Sequence, residues 1–412
     1  MGKNILMLSW IYPPANDMAG RRAYGLSKYL KQYGWQPYVC TSQVAEGKPS
    51  TGGIDPYKQE ELKNNTYVIR VPFRTNRSYP FGNRIVRYGI TALSPTTQPL
   101  DYYMNCMQIL PSIIAKNSIR VMWATYSPPA PLRLAYNLHK VFKIPWIADF
   151  RDLWDQKYMY NKYFSYRHRT SIIKYLRTSS HIVAVTPAIA NKLECVTDKP
   201  VSSIYNGYDP EEYPGVNGMG EDDKNLFEIV YTGSILKPPM RNPTPVFKAI
   251  DLLLKDKVID AKRFKIVFYG ANIQLLNSLL GDSICRDICL IRESIPHSKA
   301  VEVQQKATIL LHLSHPRERG IMTGKIFEYL GARRPILSVP GDGDSVERLL
   351  ERTRAGYCKA SIEDIAHQIK LWYDEKQRCG YVRYTGLEWE IEKYSYLNAA
   401  KHLVEVLEKV PI

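Results

Sequence analysis

Residues 323–337 (TGKIFEYLGARRPIL) carry more chemistry for their length than any other stretch of the chain. Gly324 offers a tight loop and a bare backbone amide, and Lys325 places a positive charge directly after it. Ile326, Phe327 and Leu330 are spaced for one apolar face of a short helix, Tyr329 adds bulk, and Glu328 falls among them. Unpaired amides at a helix start and the helix dipole both favour an anion. A lysine beside them adds charge, and an acid one turn further in can accept hydrogen bonds from a ribose. The same residues also suit an ordinary loop–helix–strand unit with a solvated lysine, since such units host many functions. A second constellation is Gly20 with Arg21 and Arg22, where a glycine at a helix start lets a phosphate or an acceptor come close. It is not a dinucleotide fingerprint, because the G-x-G-x-x-G spacing is absent.

The elements that must hold these residues alternate. A buried strand at 4–10, a loop at 11–20, a helix at 21–33 and a strand at 36–41 open the chain. That order implies a right-handed parallel unit with its ligand loop at the carboxyl end of the first strand. Strands follow at 67–71, 120–124, 145–149, 181–185 and 201–205, with helices at 105–116, from 129 to near 142, at 163–178 and from Pro187 to 193. Residues 72–105 resist assignment. Residues 209–225 are rich in Gly, Pro and acids and read as a linker. The pattern then restarts, with strands at 227–231, 264–269, 289–291, 308–313 and 335–339. Helices alternate with them at 243–255, 297–305, 326–330, 345–350 and 361–372; Gly331 is expected to end the third of these. The fold class is α/β, with two Rossmann-like doubly wound domains facing across a cleft. The first spans 1–208 and the second 226–394, and a closing helix at about 395–412 packs back on the first.

With 412 residues and 45% apolar content, the chain is long enough for two domains with real cores. Seven scattered cysteines without framework spacing point to a reducing compartment. Cys285 and Cys289 are spaced to share a helix face, but no further ligands sit at zinc spacing. No signal-peptide pattern opens the sequence, and no apolar run reaches the ~18 residues that span a bilayer. The net charge is +16, with cations concentrated at 70–87 and 157–177 among many of the 30 tyrosines. Basic charge interleaved with amphipathic aromatics suits an anionic membrane surface. RNA would also suit it, but no nucleic-acid motif accompanies the charge, so nucleic acid is not expected as a partner.

Six motifs together carry a family resemblance: ILMLSWIYPPANDMAGRR, YSPPAP, PWIADFRDLW, IYNGYD, VYTGS and TGKIFEYLGARRPIL. In order and spacing the chain resembles GT-B glycosyltransferases of family 4 type, over nearly its whole length. The nearest likeness is to bacterial enzymes that build capsule, lipopolysaccharide or exopolysaccharide.

The resemblance implies a retaining enzyme of the hexosyltransferase type, with a nucleotide-diphosphate sugar as co-substrate and a hydroxyl of a lipid-linked saccharide as acceptor. The second domain would bind the nucleotide. Glu328 would take the ribose, Gly324 and Lys325 the diphosphate end, and Gly233 and Ser234 would lie beside the donor. Lys237 and Arg241 would stabilise the departing phosphates, or are surface charge after a strand. Gly20 would approach the donor from the facing domain, and Arg22, Tyr126 and Arg151 would contact acceptor. Asp149 and Asp152 would orient an acceptor hydroxyl or take its proton, or are a salt-bridged strand end.

One position departs from the family pattern. Gly320 stands where an acid often precedes the ribose-binding one by eight residues, so His315 or Glu318 is the candidate substitute. Asp342-Gly343-Asp344 has the spacing that holds a divalent ion in another glycosyltransferase fold, but in a Gly-rich turn before a helix its acids read as caps. No metal and no cofactor are expected. The expected location is the inner face of the plasma membrane, cytoplasmic and peripheral. Two rivals remain: a sugar-nucleotide 2-epimerase on the same fold, and a non-catalytic nucleotide-binding partner of another enzyme.

Overall fold

The architecture comes from a computed structural model, which describes residues 2–43, 54–55, 58–59, 62, 67–74, 80–152, 162–213, 225–238, 240–314, 320, 322–341 and 343–411. The chain forms two compact units, Met1–Asn206 with Tyr396–Ile412, and Gly207–Ser395.

The first unit is built on a parallel sheet of strands β1 (Lys3–Leu8), β2 (Trp35–Ser42), β3 (Val68–Val71), β4 (Val121–Tyr126), β5 (Trp146–Phe150), β6 (His181–Ala184) and β7 (Val201–Ser203). Among the described residues their order is β3-β2-β1-β4-β5-β6-β7. β1 and β4–β6 read as near-continuous apolar runs because helices cover both faces of the sheet. The second unit repeats the plan with β8 (Phe227–Thr232), β9 (Phe264–Tyr269), β10 (Cys289–Arg292), β11 (Ile309–Leu313), β12 (Ile336–Val339) and β13 (Gly356–Cys358), ordered β10-β9-β8-β11-β12-β13. The direction of winding reverses between β1 and β4 and again between β8 and β11. At such switch points the loops leaving the carboxyl ends diverge and open a crevice for ligands.

The helix Tyr396–Leu407 closes the first unit by burying Tyr396, Ala400 and Leu403 against the helix Met18–Leu30. Gly25 makes that approach possible, since a Cβ there would lie 2.2 Å from Tyr396 Cγ.

Several elements depart from the pattern read in the sequence. The opening helix starts at Met18, not 21, because Asp17 caps it by accepting from the Ala19 amide at 2.8 Å. Gly20 therefore lies inside the first turn. The unassigned stretch holds a helix, Phe81–Leu93, and a 3-10 turn, Pro95–Thr97. The next helix starts at Leu100 and carries Pro111 in its interior. Gly331 does not end its helix, which runs to Ala332 and stops at Arg333 in a left-handed conformation, φ 55°. The glycine serves packing instead, for a Cβ there would come within 2.8 Å of Tyr208 Cβ. Tyr208, expected at the end of the first domain, and residues 209–213, expected as linker, are accordingly part of the second unit: Tyr208 bridges to Ser395, and buried Tyr213 donates to Gln304 Oε1 at 2.8 Å. The rest of the expected linker, 214–224, lies outside the described residues. The helix Ile273–Leu280, capped by Asn272, escaped notice, as did the short helix Glu388–Ile391. Cys285 sits in a 3-10 turn and Cys289 begins a strand, so they share no helix face.

Candidate functional site

The second unit gathers its chemistry at the β8–β11 switch point. β8 ends in Thr232, and the chain turns through Gly233 at φ +124°, a conformation side chains rarely adopt. The turn clears room for Lys325: a Cβ on Gly233 would lie 2.4 Å from Lys325 Nζ. Lys325 is the second residue of the helix Gly324–Ala332, which follows β11. Thr323 precedes the helix but does not cap it with its side chain; its hydroxyl lies 3.3 Å from His312 Nε2. The helix geometry leaves the first amides, at Gly324 and Lys325, without intrahelical acceptors.

Lys325 is half-buried, its Nζ 5.7 Å from the centre of the Tyr231 ring. Its pKa is lowered to about 8, chiefly by desolvation and next by the nearby Arg241 guanidinium, with Glu328 opposing the shift. Among the described residues no carboxylate comes within ion-pair distance of it. Arg241 has a left-handed backbone, φ 44°, and is held by its amide on the Ser314 carbonyl at 3.3 Å. Its guanidinium donates to Ser234 Oγ at 3.2 Å, which ties the cation to the turn after β8. Lys237 is exposed four residues before it.

Glu328 lies one turn into the helix and is 7% exposed. It stands 3.4 Å from His297 Nδ1, and His297 Nε2 is 2.8 Å from Glu212 Oε2. The imidazole thus sits between two carboxylates, and only its doubly protonated form can donate to both. Neither Glu212 nor His297 was singled out in the sequence. Glu212 fell in the expected linker, and His297 marks only a helix start.

Most candidates of the first unit are engaged by other residues of that unit. Asp149 is fully buried, and Arg22 Nε and NH2 donate to it at 3.0 and 2.7 Å. Thr125 Oγ1 donates to its other oxygen at 2.8 Å. Arg22 also donates to the Tyr205 carbonyl at 3.1 Å and the Asn206 side chain at 3.3 Å. Of the two readings for Asp149, the geometry is that of the salt-bridged strand end, and Arg22 is its partner rather than an acceptor contact. Tyr126 is buried as well, its hydroxyl 3.2 Å from His168 Nε2. Gly20 is buried against its own loop, for a Cβ would meet Tyr12 Cα at 3.1 Å, so its smallness serves packing. At the carboxyl end of β5, Arg151 donates to the Ser127 carbonyl, and Asp152 is exposed.

His315 and Glu318, considered as stand-ins at the departure from the family pattern, lie outside the described residues, as does Asp342. Gly320 is described: it has φ +81° and donates its amide to Asp344 Oδ2 at 2.6 Å. Asp344 therefore does not cap the helix Ser345–Thr353 with its side chain, because the loop amide has taken it.

No protein-family model matches the chain, and no curated protein matches it in sequence. Solved structures match it by shape. HepE from Anabaena, in complex with UDP and glucose, is 13% identical over 98% of this chain and 99% of that one, with a TM-score of 0.65. Sucrose-phosphate synthase from Thermosynechococcus elongatus is 12% identical over 99% and 98%, at 0.66. Two doubly wound parallel sheets are thus matched end to end by glycosyltransferase architectures. The fold is GT-B. A Listeria monocytogenes protein proposed to be a UDP-N-acetylglucosamine 2-epimerase shares it, at 8% identity over 99% and 96% and a TM-score of 0.58. In this GT-B chain the Lys325–Gly233 pair occupies the switch-point crevice of the second unit.

Proposed function

We propose that the chain is a glycosyltransferase that moves a sugar from a nucleotide-diphosphate donor to a saccharide hydroxyl. One observation carries the reading: a half-buried lysine with no carboxylate partner among the described residues stands at a helix N-terminus, over a glycine turn at a switch point. A diphosphate supplies the missing negative charge and takes the free amides. Glu328 then accepts from the ribose, and His297 holds it in place. Arg241, anchored on Ser234, and Lys237 stabilise the departing diphosphate as the anomeric bond breaks. The acceptor belongs to the first unit, near Arg151 and Asp152. Transfer retains anomeric configuration, a hexosyl group is moved, and these cations serve in place of a metal ion. The acceptor is lipid-linked, the product a surface polysaccharide, and the enzyme works peripherally on the inner membrane face. HepE, described with UDP and UDP-glucose, supports a uridine nucleotide as the first to try.

The test is thermal unfolding with UDP, GDP, dTDP, ADP and CMP, with and without Mg²⁺. A ligand at a hundred times its Kd adds about 2.7 kcal/mol. One diphosphate should stabilise the wild type without metal and leave Glu328→Ala unmoved. No shift with any of the five would refute the donor site.

A second reading has one observation in its favour. The Glu212–His297–Glu328 cluster places acid–base groups at the donor site, as a sugar-nucleotide 2-epimerase requires. It predicts epimerised donor in the absence of any acceptor.

A further inference from the structure

The helix Phe81–Leu93 is amphipathic in the wrong sense for a water-facing element. Ile85, Val86, Tyr88, Ile90 and Leu93 are 58%, 62%, 57%, 40% and 68% exposed. At 100° per residue they wrap one side of the helix. Arg84 and Arg87 lie on the other side and are half-buried. Arg87 is ion-paired with Asp101, itself buried, and Asp101 Oδ2 also accepts from the Arg74 amide at 3.0 Å. The helix is thus pinned to the protein by its charges and turns its apolar side outward.

The charge around it selects an occupant. No acid occurs between Glu61 and Asp101, nor between Asp155 and Glu194, and each interval carries several Lys and Arg. The second interval includes the helix Lys162–Leu176, which packs on the same 3-10 turn as Phe81–Leu93 through Thr96 and Tyr175, 2.7 Å apart. That helix exposes Tyr166, Arg169 and Lys174. An exposed apolar side, on segments whose sequence carries cations and no acids, matches an anionic phospholipid surface, whose headgroups meet cations while the acyl boundary takes apolar side chains. A second copy of a chain with net charge +16 would bring like charge against like.

We infer that Ile85, Val86, Tyr88, Ile90 and Leu93 insert into anionic bilayers and seat the first unit on the membrane. This deepens the membrane reading above and rests on it for its biological setting, but it is tested separately. The experiment is flotation of the full chain with phosphatidylcholine vesicles, alone or containing about one third phosphatidylglycerol, comparing wild type with Ile85→Glu and Leu93→Glu. Both positions are already exposed, so the fold should stand. The wild type should float only with the anionic vesicles, each variant should lose about tenfold in bound fraction, and Tyr88→Trp should show blue-shifted emission on binding. Equal binding by wild type and variants would overturn the proposal, as would no flotation of the wild type. A concentration-dependent dimer abolished by Ile85→Glu, without lipid binding, would assign the face to a second copy instead. UDP-induced stabilisation measured on the same samples separates the two claims. Lipid insertion without nucleotide binding refutes the transferase reading alone, and nucleotide binding without insertion refutes this one alone.

Discussion

Lys325 should couple diphosphate binding to pH with a definite sign. Its amine titrates near 8 in the folded chain against an ordinary 10.5. Between these values the unfolded chain holds the extra proton, so this group's contribution makes stability rise with pH across that window. Below about 8 the cost of keeping a half-buried cation is fully present. Lys325→Met should therefore stabilise the chain at pH 7 by roughly 1–2 kcal/mol after allowing for solvent screening, read by urea unfolding, while abolishing diphosphate binding. Calorimetric titration of the wild type should show affinity falling about tenfold between pH 7 and 9.5 as the amine discharges. A flat profile would remove Lys325 from the site. Arg22→Met should cost roughly 3–5 kcal/mol by leaving Asp149 buried and charged, and a second change, Asp149→Leu, should restore most of it. Such recovery assigns the pair to structure rather than to proton transfer. Lys325 and Glu328 were legible in the sequence because they share one short helix with a local signature. The Glu212–His297 contact was not, since it joins residues 85 apart and only the fold brings them together. The Arg22–Asp149 pair, 127 apart, is hidden for the same reason: the sequence offers a salt-bridged strand end as one reading of Asp149 but does not name Arg22 as the partner.

Glycines set the spacing between elements. Gly25→Ala should cost roughly 1–3 kcal/mol by wedging Tyr396 away from the opening helix, and pairing it with Tyr396→Leu should recover part of that loss in thermal unfolding. Gly233→Ala should weaken diphosphate binding more than it harms the fold. Its Cβ would sit 2.1 Å from Lys325 Cε, displacing the lysine that the ligand needs. The helix Phe81–Leu93 is hard to read because its Arg, Tyr and Gly content looks like loop, although Ile85, Val86, Ile90 and Leu93 fall on one side at helical spacing.

At the scale of the whole molecule, the alternation of apolar runs and helical segments was enough to read two doubly wound units. Parallel strands buried on both faces leave little room for another interpretation. What the alternation did not show was where the units begin, because Tyr208 and Tyr213 pack by long-range contacts within the second unit. The chain enters the second unit at Gly207 and leaves it at Ser395. Ending the chain at residue 395 should therefore uncover the apolar face of Met18–Leu30 and destabilise the first unit, while UDP still stabilises the second; thermal unfolding with and without UDP separates the two effects. Sugar transfer from a nucleotide donor is tested by incubation with labelled nucleotide sugar and extracted lipid-linked saccharide. Nucleoside diphosphate should be released in step with labelled lipid-linked product, without added metal, and both should be lost in Lys325→Ala. Donor that is bound but unchanged, or epimerised with no acceptor present, would refute transfer.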